Sequence, residues 1–149
     1  MITQYKAPEQ FPEGKLSIFL GGTIDNGDSE DWQNTAFNFL KLHKKFDNWI
    51  VLNPRRYNWN VNACITDVED QIKWELHALD HADILIMNFL PNSQSPISLF
   101  EMGLYARHKK IRVCCPKEFW KSTNVRYYCK VFNIPLFDNL QTLLQNEIR

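Results

Sequence analysis

Five short β-rich runs alternating with helical runs, a central run that is apolar almost without interruption, and a Gly-Gly pair closing the first run predict an α/β protein. The expected architecture is an open, parallel, five-stranded sheet with helices on both faces, in the flavodoxin-like strand order 2-1-3-4-5. It is read as one domain spanning residues 1–149, since no linker and no repeat divides the chain.

After a polar lead-in, Lys15 to Leu20 (KLSIFL) is the first strand, and Gly21-Gly22 reads as the tight turn it feeds. From Ser29 to Phe46 the period lengthens. Trp32, Ala36, Phe39, Leu40 and Leu42 recur at helical spacing, with acids at Asp28, Glu30 and Asp31 first and Lys41, Lys44 and Lys45 last, an order that suits the helix dipole. Trp49 to Asn53 is a second strand halted by Pro54, and RRYNWNVNACIT after it follows neither period and reads as a loop.

Asp67 to His81 is the clearest helix, with Val68, Ile72, Leu76 and Leu79 as its apolar stripe and Gln71, Glu75 and Ala78 on an adjoining face. Ala82 to Phe89 is apolar enough to be a strand covered on both sides, at the sheet's centre. Ser95 as N-cap and Pro96 as first helical residue open a helix to about Arg107. Ile111 to Cys115 is a fourth strand, Glu118 to Phe132 a helix with Val125, Tyr128, Cys129 and Phe132 on one face, Ile134 to Phe137 a fifth strand, and Asn139 to Ile148 the last helix.

Composition narrows the partners. Seventeen Lys and Arg balance seventeen Asp and Glu, so the field that draws proteins to nucleic-acid polymers or anionic membranes is missing. The longest apolar runs, such as Ile84 to Met87, are strand-sized, so no membrane span is expected, and the first fifteen residues lack the apolar core of a signal peptide. Cys64, Cys114, Cys115 and Cys129 form no CxxC pair and no finger spacing, which argues against zinc; the adjacent Cys114 and Cys115, inside an apolar strand, are expected to be packed thiols, and a reducing cytoplasm is the expected setting.

In an open α/β sheet ligands bind beyond the carboxyl ends of the strands where strand order reverses, here between the first and third strands. That selects Gly21, Gly22, Thr23 and Asp25 after the first strand, which match neither a dinucleotide fingerprint nor a P-loop and serve equally as a structural turn. It also selects Asn88 to Gly103, where Glu101 falls on the second helical turn between Phe100 and Met102. A carboxylate in apolar surroundings must be hydrogen-bonded or serve chemistry; the alternative is a glutamate on a solvated helix face. Glu75 is the second acid, whereas Asp83, at the amino end of its strand, is set aside as a cap. Trp32, Tyr57, Trp59 and Trp74 could each stack on a base; most are expected in the core, with Tyr57 and Trp59, in the irregular loop, the better candidates for the pocket and Trp74 a lesser one. Arg55 and Arg56 suit either a 5′-phosphate or, the reading preferred here, pairing with nearby acids. His43, His77, His81 and His108 show no base-and-nucleophile arrangement.

The strand-turn SIFLGGTID, then NPRR, QIKWELHALDHADILIMNF, SPISLFEMGLYA and VCCPKEFWKSTNV together resemble the nucleoside 2-deoxyribosyltransferase-like family, from residue 16 to about 140. The resemblance implies that Glu101, in Glu-Met-Gly, attacks C1′ of a 2-deoxyribose, and that Glu75 assists at the nucleobase, with Glu where the better-known transferases carry Asp. Those transferases also carry an acid six residues before the nucleophile, where this chain has Ser95. Asn124 matches an asparagine that a neighbouring subunit lends to the sugar hydroxyls, which implies a homo-oligomer with shared sites. Small-molecule nucleosides and nucleobases are then the partners, with no metal or organic cofactor, in a chemistry coherent with retaining glycoside transfer. The alternatives are a (deoxy)nucleotide N-glycoside hydrolase and a nucleotide-sensing module that keeps the pocket without turnover.

Overall fold

The computed structural model describes residues 1–59, 62–108 and 110–149. Among these residues, six strands and five α-helices follow one another as β1 (Thr3–Lys6), β2 (Ser17–Gly22), α1 (Trp32–Lys41), β3 (Ile50–Asn53), α2 (Ile65–His81), β4 (Ile84–Asn88), α3 (Pro96–Tyr105), β5 (Ile111–Cys114), α4 (Ser122–Val131), β6 (Leu136–Phe137) and α5 (Leu140–Glu147). All strands pair in parallel in the order β1-β3-β2-β4-β5-β6. Without β1 the order is the expected 2-1-3-4-5.

The sixth strand corrects the expectation of five. Thr-Gln-Tyr-Lys carries no apolar run, and what makes it a strand is the ladder to β3, Thr3 opposite Ile50 through Lys6 opposite Asn53. Such pairing comes from the tertiary structure and leaves little local trace.

Side chains of the central strands alternate between two cores, as the two-residue strand period requires. Phe19, Ile50, Leu52, Leu85, Met87, Ile111 and Val113 meet Trp74, Ala78 and Leu79 of α2, Met102 and Tyr105 of α3, and Val125 and Cys129 of α4. Ile18, Leu20, Val51, Ile86 and Cys114 point the other way, onto Trp32, Ala36 and Leu40 of α1 and Leu143 and Leu144 of α5. Helices therefore cover both faces, and β4 lies at the centre as its apolar sequence predicts. Asp31 caps α1 by accepting the Asn34 N–H at 3.0 Å, and Asn139 caps α5 by accepting that of Thr142 at 2.9 Å.

Several local expectations shift. The loop expected after Arg55 ends early, because α2 begins at Ile65; Asn60 and Val61 within that loop lie outside the described residues. α1 stops at Lys41 and a 3-10 turn at Lys44–Phe46 follows, leaving Leu42 exposed. On α4, Val125 and Cys129 are buried but Tyr128 is exposed, stacked on Phe132. The largest correction is on α2, where Leu79 is buried but Val68, Ile72 and Leu76 face outward; the helix packs through Trp74, Ala78 and Leu79 instead. Cys114, Cys115 and Cys129 are packed thiols, and burial pushes them up to about 12, 12 and 11 respectively, which makes them inert. Among the described residues no helix is long and apolar enough to cross a membrane.

Candidate active site

A cavity of about 530 Å³ opens at the carboxyl ends of β2 and β4, between α2 and α3. Its wall includes Gly21 and Gly22 at the end of β2, Asp25 after it, Arg56 and Trp59 after β3, Gln71 and Glu75 of α2, Ser95 just before α3, and Ser98 and Glu101 within it. This is the crevice at the switch in strand order, where β2 leaves β3 on one side and meets β4 on the other.

The glycines are not the turn the sequence suggests but the last two residues of β2, with Gly21 opposite Met87 and Gly22 opposite Asn88. A Cβ on Gly22 would sit 2.0 Å from the Asn88 carbonyl oxygen, and its φ is +129°. Only glycine lets the two strands stay paired to the cavity's edge.

Thr23 follows, buried and not among the lining residues. Its backbone donates to Asn88 O, its hydroxyl accepts the Leu90 N–H at 2.9 Å, and its carbonyl accepts the Trp32 indole N–H. The Thr23 and Ser95 hydroxyls lie 2.7 Å apart, those of Ser95 and Ser93 2.8 Å apart, and Ser93 donates to Asp25 at 2.7 Å. One proton per hydroxyl fixes the direction of this chain, Thr23 to Ser95 to Ser93 to Asp25. Ser95 is the residue before α3 as expected, but its hydroxyl caps nothing; it adopts φ 47°, ψ 52° and is spent in the chain. The serine turn and the first loop are thereby locked together beneath the cavity.

Arg55 and Arg56 part company. Arg55 is only 6% exposed, and its guanidinium donates to Gln33 Oε1, the carbonyls of Gly27, Ser29 and Glu30, and the Ser29 hydroxyl, with Asp31 at 3.5 Å. It holds the loop after β2 in shape. Arg56 is half-buried and lines the cavity itself. Trp59 lies against Gly27, whose absent Cβ it would clash with, and also lines the cavity. Tyr57 does not: it is 68% exposed, with the Lys6 ammonium over its ring. Trp32 and Trp74 are core residues as expected, and the Asp83 carboxylate accepts the Ser17 N–H at the amino ends of β2 and β4.

The two glutamates face the cavity from opposite helices. Gln71, one turn before Glu75, donates to Glu75 Oε1 at 3.0 Å and to the Pro54 carbonyl at 3.1 Å, so it braces the carboxyl against the turn after β3. Sequence reading places Gln71 beside Glu75 without seeing this role. Burial raises the Glu75 pKa, partly opposed by the Gln71 bond. Burial first, and the Glu75 charge second, push Glu101 up to about 8. Two carboxyls that share one cavity and cannot both ionise cheaply near neutrality are suited to acid-base and nucleophilic work. Among the described residues no group of three His, Cys, Asp or Glu could hold a metal ion.

Asn124 lies elsewhere, on the outer face of α4 in a groove with Thr123, Tyr127, Tyr128, Val131 and Phe132. Within one chain it does not meet Glu101.

An open parallel sheet with a cavity at its switch point, walled by two carboxyls whose pKa values burial raises, defines an α/β protein with a candidate site at the carboxyl ends of its strands. The chain belongs to the family described as nucleoside 2-deoxyribosyltransferase like, whose model matches residues 15–119. That segment contains every lining residue of the cavity but not Asn124, and it ends short of the residue-140 limit read from the sequence. No curated protein matches the chain.

Proposed function

We propose that this protein cleaves the N-glycosidic bond of 2′-deoxynucleosides and transfers the deoxyribosyl group to a second nucleobase. The reading is supported above all by Glu75 and Glu101, which wall one cavity and whose pKa values burial raises. Ionised Glu101 attacks C1′ as the C1′–N bond breaks. The electron pair of that bond goes to the departing base, which takes a proton from Glu75. A second base then attacks C1′ from the vacated side, the ester to Glu101 breaks, and the proton of the incoming N–H passes to Glu75. Water in place of the base gives hydrolysis. A ribose 2′-hydroxyl withdraws electrons from C1′ in the transition state, so deoxynucleosides react faster than ribonucleosides.

Arg56 in the cavity wall favours a second reading, hydrolysis of nucleoside monophosphates, because a guanidinium matches phosphate oxygens. It shares the wall with four carboxyl residues, Asp25, Asp67, Glu75 and Glu101, so nucleosides are the preferred substrates.

The active form is a homo-oligomer. Val68, Ile72 and Leu76 of α2 and Ile97, Phe100 and Leu104 of α3 are between 46% and 68% exposed. Val68, Ile72 and Ile97 also line the cavity, so the apolar face runs to its mouth and a second copy seated there would close it. Asn124 lies off this face, so service to a neighbouring subunit's site requires a further contact through the α4 groove.

The test is incubation with a deoxynucleoside and a different free base, followed by chromatography. The exchanged nucleoside is expected, and Glu101→Gln is expected to form neither it nor the free sugar; turnover by Glu101→Gln near the wild-type rate sinks the mechanism.

A further inference from the structure

Among the described residues, four buried side-chain nitrogen or oxygen atoms have no hydrogen-bond partner, and two of them, Gln71 Oε1 and Trp59 Nε1, belong to residues lining the cavity. A buried acceptor or donor without a partner is costly, and in a ligand cavity the ligand is the natural partner. The Gln71 amide cannot turn over to relieve the cost, because its Nε2 already donates to two oxygens, Glu75 Oε1 and Pro54 O. Its carbonyl is thus fixed as an acceptor.

The same bond decides where Glu75 carries its proton. Oε1 accepts from Gln71, so the proton of the neutral carboxyl resides on Oε2. The pair Gln71 and Glu75, one helical turn apart, therefore offers one acceptor and one donor side by side. We propose that this pair selects departing bases in which a ring nitrogen lies beside an exocyclic amino group: adenine over hypoxanthine, and cytosine over uracil. The proposal rests on the reading that a nucleobase departs at Glu75. Glu75 Oε2–H donates to the ring nitrogen, N7 in adenine, while Gln71 Oε1 accepts from the amino group; N7 and the 6-amino group share one edge of adenine. Hypoxanthine puts a carbonyl oxygen where that amino group was, so two acceptors oppose each other, and a site built to hydrogen-bond a group discriminates strongly against its replacement.

The experiment measures binding of free adenine and hypoxanthine to the wild-type protein by calorimetry, and kcat/KM for 2′-deoxyadenosine and 2′-deoxyinosine, with Gln71→Met as the comparison. The wild type is expected to favour the amino member by about tenfold or more in both, the worth of one buried hydrogen bond, and Gln71→Met to bring the ratio to about threefold or less. Adenine favoured in binding without any cleavage of either nucleoside leaves the selection standing and removes the transfer reading. Cleavage of both nucleosides at equal kcat/KM removes the selection and leaves transfer. A preference that survives Gln71→Met also overturns it, as does failure of both bases to bind. Should Gln71→Met not fold, the wild-type ratios decide the question alone.

Discussion

Glu101 meets two opposing demands: the proposed reaction needs its anion, yet the cavity wall favours its proton. With Glu75 also raised, the pair is coupled and titrates as a unit, its last proton held up to about 8. One carboxyl must be ionised to attack and one protonated to assist departure, so kcat/KM is expected to fall on the basic side as this last proton leaves, near pH 8; a rate profile flat from pH 7 to 9 would contradict the assignment. Stability carries the same signature. The folded pKa lies above the ordinary 4.5, so the contribution is complete below 4.5 and is lost as pH rises through about 8. Thermal scans should show Glu101→Gln melting above the wild type at pH 9 and converging with it at acid pH, the difference being on the order of 5 kcal/mol at most. Arg55 gives a second residue-scale prediction: Arg55→Met takes the side-chain donor from the carbonyls of Gly27, Ser29 and Glu30, of which Glu30 keeps the Trp32 N–H, and should cost about 2–4 kcal/mol in denaturant unfolding. A loss under about 1 kcal/mol would show that the loop holds itself. Both glutamates were legible in the sequence, from their place at the switch point and from the family motifs. The split between Arg55 and Arg56 was not, because adjacent residues leaving a strand point opposite ways and only the packed loop shows which is inside.

At the scale of elements, the alternation of strand and helix and the order of five strands could be read from apolar patterning, since each central strand feeds two cores. What could not be read was which apolar stripe packs. On α2 the period finds Val68, Ile72 and Leu76 at four-residue spacing, yet the sheet receives Trp74, Ala78 and Leu79. Periodicity reports that a helix has an apolar face; it does not report whether the sheet or another chain covers it. The end of β2 was misread for a different reason: Gly21-Gly22 looks like a turn, but glycine there permits a close strand approach. Gly22→Ala therefore tests an element and not merely a residue. With 2.0 Å between the new Cβ and Asn88 O, and φ at +129°, β2 and β4 must part at the cavity's edge. The variant is expected to lose at least about 3 kcal/mol of stability, or to fail to fold. A soluble Gly22→Ala protein with an unchanged unfolding midpoint would mean that the glycine is there for the ligand alone.

On the scale of the whole molecule α2 and α3 present an apolar face outward. A lone exposed leucine needs no explanation, but six large apolar side chains on two adjacent helices, continuous with a cavity that holds the two acids, form a patch a solitary chain pays for in solubility. Neutral net charge offers no repulsion to keep copies apart. A two-fold arrangement would set this face against itself, bury the stripe and narrow the cavity's mouth, raising the pKa of both carboxyls further by excluding water. Leu76→Asp with Phe100→Asp places a charge in the middle of each helix's share of the patch, and neither residue lines the cavity. Light scattering is expected to show the wild type as an oligomer and the double variant as a monomer that still folds, since both positions are exposed in the single chain. Because the cavity would then stay open, nucleoside exchange by the monomer should drop by about tenfold or more, the scale of losing positioning contacts and water exclusion. A wild-type protein that is monomeric and active at the same dilution would detach the apolar face from the reaction, and a double variant that remains oligomeric would move the interface to the α4 groove around Asn124.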